Sequence, residues 1–233
     1  MKIALLQDLL DCKAAQIPAA LLTDLAAGTQ DLVTADSDGS LFKLSADDLA
    51  RIRQCLVDDR SGEIEIGDRR LFVQVHNPPT RLMIVGAVHI SQSLAPMAAL
   101  AGYQVIVIDP RRSFASDLRF PNTELRHDWP DEALDALKPD RRSAIVTLTH
   151  DPKLDDPALE AALRSPVFYI GALGSRKTHA ARLERLTAVG FTADDIGRIH
   201  GPAGFDIGAK SPAEIAVSVM AQMTAALHQR PTR

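Results

Sequence analysis

Four short segments gather residue types that bind nucleotides or anions, or that move protons. The first is Gly86-Ala87-Val88-His89-Ile90-Ser91, which follows an apolar run at 82–85 and precedes Asp109 at the end of the next apolar run. A strand that turns through glycines into a helix, with an acidic residue about 20 positions on, is the frame that binds dinucleotides. Its glycines let the backbone approach a pyrophosphate, and its carboxylate takes a ribose hydroxyl. The frame is present here, but two of its glycines are not. Val88 stands where the backbone should approach the pyrophosphate, and Ser91 where a helix should pack closely on a strand, so negligible NAD(P) binding is expected. What remains open is a frame kept for folding alone, or an altered ligand in the same crevice with Gly86, Ala87 and His89 lining it.

The second and third segments also leave apolar runs polar at their ends. Asp109-Pro110-Arg111-Arg112 combines a carboxylate suited to a hydroxyl with arginines whose forked donors suit a phosphate. Thr147-Leu148-Thr149-His150-Asp151 offers His150 for proton transfer or metal binding, or His150 with Asp151 as a structural pair. The fourth, Gly171-Ala172-Leu173-Gly174-Ser175-Arg176-Lys177-Thr178, leads into a predicted helix. Glycines, a hydroxyl and two cations there collect exposed backbone N–H groups, the positive end of the helix dipole and mobile positive charge. This is the strongest anion-binding signal in the chain, and Gly171, Gly174, Ser175, Arg176 and Lys177 are its candidates. The spacing of a phosphate-binding P-loop is absent, and a plain helix start is the structural alternative.

The rest of the chemistry is sparse. Residues 200–208 form a glycine-rich loop that either lines a crevice or turns the chain. Cys12 and Cys55 have no neighbouring ligand residues and read as ordinary thiols, so no metal site is expected. No nucleophile elbow, zinc-protease motif or recognisable triad occurs, and no catalytic residue is assigned.

These segments need elements to hold them. From 81 onward, apolar runs at 81–87, 104–109, 144–148 and 167–170 alternate with helical stretches ending near Gly102, at 131–137, 157–163 and 176–189. Continuous apolar strands between helices imply α/β architecture, a Rossmann-like parallel sheet covered on both faces. Ser211-Pro212-Ala213-Glu214 starts a last helix with apolar residues at every fourth position, Ile215 to Leu227. Residues 1–76 read as a small α+β module: a helix at 2–11, a second helical piece at 18–27, a hairpin of 32–35 with 41–44, a helix from Ser45 to Asp59, and a hairpin about Gly67-Asp68. Asn77-Pro78-Pro79-Thr80 lacks two backbone donors and reads as a linker, with the Rossmann-like domain at 81–233.

Composition bounds what such a chain does. Hydrophobic residues are 46% of 233 and aromatics only 4%, so the core must be aliphatic. A net charge of −4 with no basic run argues against nucleic acid. The absence of a long apolar run or a secretory-type leader points to the cytoplasm and away from membranes.

Taken in order, IVGAVHI, VIVIDPRRSFAS with RFP after it, TLTHDPKLDDPAL, YIGALGSRK and GPAGFDIGAKSPAEIAVSV resemble the C-terminal part of the XdhC/CoxI family, over about 79–227. The resemblance implies a Rossmann-like domain and a chaperone-like accessory role in maturing molybdenum hydroxylases such as xanthine dehydrogenase. It implies transient binding of molybdenum cofactor, its protection during sulfuration and its insertion into the apo-enzyme. Partners implied are that apo-enzyme, a cysteine desulfurase, and a second copy or partner XdhC-type subunit. An NAD(P)-dependent oxidoreductase with a degenerate fingerprint is the rival reading, and a ligand-free docking adaptor a third. Family members often read G-A-G-H-[IV]-G where this chain has Gly86 to Ser91. Residues 1–76 also lack the glycine-rich segment of a full family N-terminal domain, as in a divergent or split member.

Overall fold

A computed structural model describes residues 2–228, and the chain divides into two compact units, Met1–Pro78 and Pro79–Arg233. The first holds α1 (Ile3–Ala14), β1 (Ala19–Asp24), β2 (Gln30–Thr34), α2 (Ala46–Val57), β3 (Gly62–Ile66) and β4 (Arg69–His76). Its antiparallel sheet has the order β2-β1-β4-β3. Ser45 and Asp48 form a reciprocal cap that starts α2, whose Leu49, Ile52 and Leu56 bury against Ala20, Leu22, Val33, Leu71 and Val73.

Two elements of this unit differ from those predicted. The helix expected at 18–27 is the strand β1. It lies between β2 and β4, and Ala19 through Leu22 are buried, so it shows no polar face and no alternation. The hairpin expected between 32–35 and 41–44 does not form. β2 pairs with β1 instead, and the turn residues wrap the buried carboxylate of Asp31, whose Oδ2 accepts the amides of Ser40, Leu41 and Phe42. Gly39 has φ +75, and a Cβ there would fall 2.6 Å from that carboxylate.

The second unit holds β5 (Arg81–Val85), α3 (His89–Leu100), β6 (Gln104–Ile108), β7 (Glu124–Arg126), α4 (Pro130–Leu137), β8 (Ser143–Thr147) and α5 (Pro152–Arg164). It continues with β9 (Tyr169–Ala172), α6 (Arg176–Ala188), α7 (Ala193–Ile196), β10 (Ile199–His200) and α8 (Pro212–Leu227). All six strands are parallel, in the order β10-β9-β8-β5-β6-β7. Alternate residues point to opposite faces. Leu82, Ile84, Val105 and Val107 pack under α3 and α8, whereas Met83, Val85, Ile106 and Ile108 pack under α4 and α5. Burying each such side chain contributes roughly 1.5–3 kcal/mol. This is the Rossmann-like architecture, and the order reverses between β5 and β8, which opens a crevice at the carboxyl ends of those two strands. β7, α7 and β10 carry too few residues for a periodic signal. Among the described residues no helix is long and apolar enough to cross a membrane.

Candidate functional site

At the crevice the loops after β5 and β8 touch. Gly86 has φ +108, and a Cβ on it would fall 2.5 Å from the Thr149 methyl, so only glycine fits there. Beyond it the dinucleotide frame is closed by its own side chains. The Ala87 amide donates to Asp109 (2.8 Å), the Val88 amide to the Ser91 hydroxyl (3.1 Å), and that hydroxyl to the Gly86 carbonyl. Val88 is extended, at φ −96, and packs against the core. Of the predicted residues here, His89 opens α3 with its side chain exposed.

Asp109 is fully buried and saturated. Its Oδ1 accepts the Arg111 amide and Nε at 2.9 Å, and its Oδ2 accepts Arg111 Nη2 and the Ala87 amide at 2.8 Å. Burial alone would push its pKa up, but the Arg111 guanidinium and the two amides outweigh it and hold the carboxyl below its ordinary range. No acceptor is left for a ribose hydroxyl. The Arg111 guanidinium, committed to Asp109, also lies over the Phe114 ring at 4.4 Å. Arg119 donates to the carbonyls of Ala87 (2.8 Å) and Phe114 (2.6 Å) and to Gln92 Oε1 (3.0 Å). Residues 111–120 are thereby fastened across the start of α3.

On the other side of the crevice Asp155, in the first turn of α5, organises the β8 loop. It accepts the Thr149 hydroxyl (2.7 Å) and the His150 amide (3.0 Å). His150 is held at φ +61 by its backbone, with its imidazole exposed. Asp151 caps α5 by accepting the Lys153 amide at 3.0 Å, and among the described residues no hydrogen bond joins it to the His150 ring.

The β9 loop holds the anion candidates. Gly171 lies inside β9, where a Cβ would fall 2.8 Å from the Tyr169 ring, so its role there is to admit that ring. Ser175 caps α6, accepting the Thr178 amide at 3.1 Å. The amides of Arg176 and Lys177 have no intrahelical acceptor, and both side chains are exposed. Beneath this loop lies Arg182, 2% exposed. Its Nη2 donates to the Leu173 carbonyl at 2.8 Å, while Nε and Nη1 are buried without a hydrogen-bond partner among the described residues. The Asp155 carboxylate is 3.8 Å from Nη2, too far for a hydrogen bond. Burial dominates both partners, raising the Asp155 pKa and lowering that of Arg182.

His179, one turn before Arg182 on α6, also has an unpartnered buried Nδ1, and a Cβ on Gly201 would fall 2.1 Å from it. Burial, and secondarily the Arg182 charge, lowers its pKa. The glycine-rich loop after β10 is fastened to α8: the Gln222 amide oxygen accepts the Gly204 amide (2.8 Å) and the Tyr169 hydroxyl (2.7 Å). The structure therefore places Leu173 and Gly174, just before α6, against Arg182 and sets Asp155 beside that arginine, and sequence reasoning missed both Arg182 and Asp155. Within THAARLERL and DPKLDDPAL each looks like one more solvated helix charge. Among the described residues no group of three or more His, Cys, Asp or Glu is placed to hold a metal ion. A surface cavity of about 330 Å³, lined by Asp156, Glu160, Arg185, Leu186, Ala188 and Val189, lies between α5 and α6 and includes none of these strand-end residues.

At the start of α6 the described residues concentrate backbone donors and positive charge. Comparison with known proteins gives the chain relatives. The model of the XdhC Rossmann domain matches residues 82–223. The uncharacterized protein YqeB of Escherichia coli K12 is 34% identical over 170 residues, 71% of this chain and 30% of that one. The molybdenum cofactor insertion chaperone PaoD of the same strain is 32% identical over 153 residues, 65% of this chain and 42% of PaoD. A protein of Bacillus subtilis 168 named as a probable xanthine dehydrogenase subunit is 32% identical over 154 residues, 66% of this chain and 44% of that one. The chain thus spans less than half the length of these relatives. A crystal structure described as a xanthine dehydrogenase from Bacillus halodurans covers 97% of this chain and 65% of its own at a TM-score of 0.72, and its 24% identity establishes a shared fold. With the family's Rossmann domain occupying more than half of its length, this protein belongs to the XdhC family.

Proposed function

We propose that this protein is an accessory factor for the maturation of a molybdenum hydroxylase of the xanthine dehydrogenase type. It binds molybdenum cofactor transiently, aids its sulfuration and hands it to the apo-enzyme. Support comes from the family, from a relative named as a molybdenum cofactor insertion chaperone and from another named as part of a xanthine dehydrogenase. The observation that carries the reading is the cationic start of α6, where the amides of Arg176 and Lys177 have no intrahelical acceptor and both side chains are exposed. That donor set fits the phosphate of a pterin cofactor.

In this reading Gly174, Ser175, Arg176 and Lys177 hold the phosphate. Gly86, Ala87 and His89, with His150 and Asp151, flank the crevice. Asp109 and Arg111 fix the loop after β5 and do not touch ligand. The cofactor, once delivered, supplies the client's reactive molybdenum centre; the residues of this chain bind, orient and release it. A cysteine desulfurase as sulfur donor and a second XdhC-type chain, another copy or a distinct partner, complete the proposed set of partners in the cytoplasm. The rival dinucleotide oxidoreductase is disfavoured because the amides of Ala87 and Val88 and all of Asp109 are already engaged.

Deleting the protein is expected to leave the hydroxylase folded and at normal abundance but poor in active cofactor. Enzyme purified from the deletion strain with full molybdenum, full cyanide-labile sulfur and full specific activity would refute the role.

A further inference from the structure

We propose that Arg182 is itself a ligand-binding residue, a buried cation kept under the start of α6 for a phosphate oxyanion, with Asp155 as the counter-charge that limits affinity and so permits release. This rests on the anion-site reading above but concerns a residue and a release device that reading does not need.

A guanidinium has five donors, and burying one without partners is costly. Arg182 satisfies one acceptor, the Leu173 carbonyl, and among the described residues Nε and Nη1 have no partner. Its carboxylate neighbour does not relieve this. Asp155 stands 3.8 Å away and turns its oxygens to Thr149 and His150. A buried pair without mutual hydrogen bonds is poor stabilisation, and apolar side chains of similar volume in place of both partners would serve the fold as well.

What the arrangement does provide is positive charge screened very little by solvent, below Gly174, which adds no side chain of its own and has the Thr178 side chain beside it. Gly174 has φ +150, and the place where its Cβ would sit is 3.7 Å from Arg182 Nη2. An oxyanion on the amides of Arg176 and Lys177 takes over the guanidinium from the Leu173 carbonyl by a small movement of that one loop. Asp155 opposes this occupant, and because the same carboxylate holds Thr149 and His150, the occupancy of the β9 loop is felt in the β8 loop. A carrier that must surrender its cargo needs such a limit on affinity.

The test is calorimetry of the full chain with inorganic phosphate, with Arg182→Met and Asp155→Asn beside the wild type. In Arg182→Met the affinity is expected to fall about tenfold or more. In Asp155→Asn it is expected to rise about tenfold. Unchanged phosphate affinity in Arg182→Met, or a lowered melting temperature with unchanged affinity, overturns the proposal. Should Arg182→Met not fold, the wild-type Arg182 Nε–H resonance decides: it is expected to shift together with the Gly174 and Lys177 amides on adding phosphate, and a stationary Nε–H overturns the proposal. Purified molybdenum cofactor and a nucleoside monophosphate form separate arms. Arg182-dependent binding that is tighter for the nucleotide than for the cofactor leaves the subsite standing and removes the cofactor reading.

Discussion

Arg111 decides what Asp109 is able to do. A buried carboxylate at the end of the second strand of such a sheet is the usual partner of a ribose, yet here the following arginine takes both its oxygens. Because the Asp109 pKa is lowered in the folded chain, the ionised group adds stability above its ordinary value of 3.8, and that contribution is lost as pH falls through the lowered value. Arg111→Met leaves burial as the dominant influence. With the guanidinium 38% exposed, the expected loss at pH 7 is discounted to about 2 kcal/mol. That loss should shrink as pH falls below the ordinary carboxyl value and on toward the lowered value of Asp109. Denaturant unfolding at pH 7 and pH 3.5 measures this, and a loss equal at both pH values would contradict the assignment. Val88 and Ser91 were legible as departures from the dinucleotide pattern because they replace glycines at fixed spacing. The saturation of Asp109 was not, since nothing in Asp109-Pro110-Arg111 says whether the fork turns back on its neighbour or outward to a ligand.

At the scale of elements, the site depends on where α6 begins. Ser175 as its cap leaves the amides of Arg176 and Lys177 facing outward with both side chains exposed. Arg176→Glu with Lys177→Glu is expected to weaken binding of a pterin phosphate more than tenfold, at about 1.5–3 kcal/mol for each charge-assisted bond, with an unchanged melting temperature. Unchanged affinity would make the loop a helix cap only. This helix start was readable from Gly174-Ser175-Arg176-Lys177, as were β5, β6, β8 and β9 of the parallel sheet, because local composition determines both. β1 was not, because an Ala- and Leu-rich strand covered on both faces has no period-2 pattern and resembles a helix. The placement of Arg182 and Asp155 against each other was also hidden, because it follows from the packing of α5 beside α6 and not from any short-range signal.

Across the whole molecule, the parallel sheet sets the loops after β5, β6, β8 and β9 at one edge, and those loops differ in state. The half that ordinarily binds a dinucleotide is filled by its own Asp109, Arg111, Ser91 and Arg119, while the half at α6 keeps free donors above a buried cation. This asymmetry suits the proposed carrier of one anionic group better than a dinucleotide enzyme. The most direct measurement is transfer. The purified full chain, loaded with molybdenum cofactor and freed of excess by gel filtration, is mixed with apo molybdenum hydroxylase, and hydroxylase activity is followed with time. The expected result is co-elution of pterin and molybdenum with the chain, followed by activation of the apo-enzyme beyond that given by an equal amount of free cofactor. A chain that emerges without pterin or molybdenum and leaves activation unchanged would contradict the central claim.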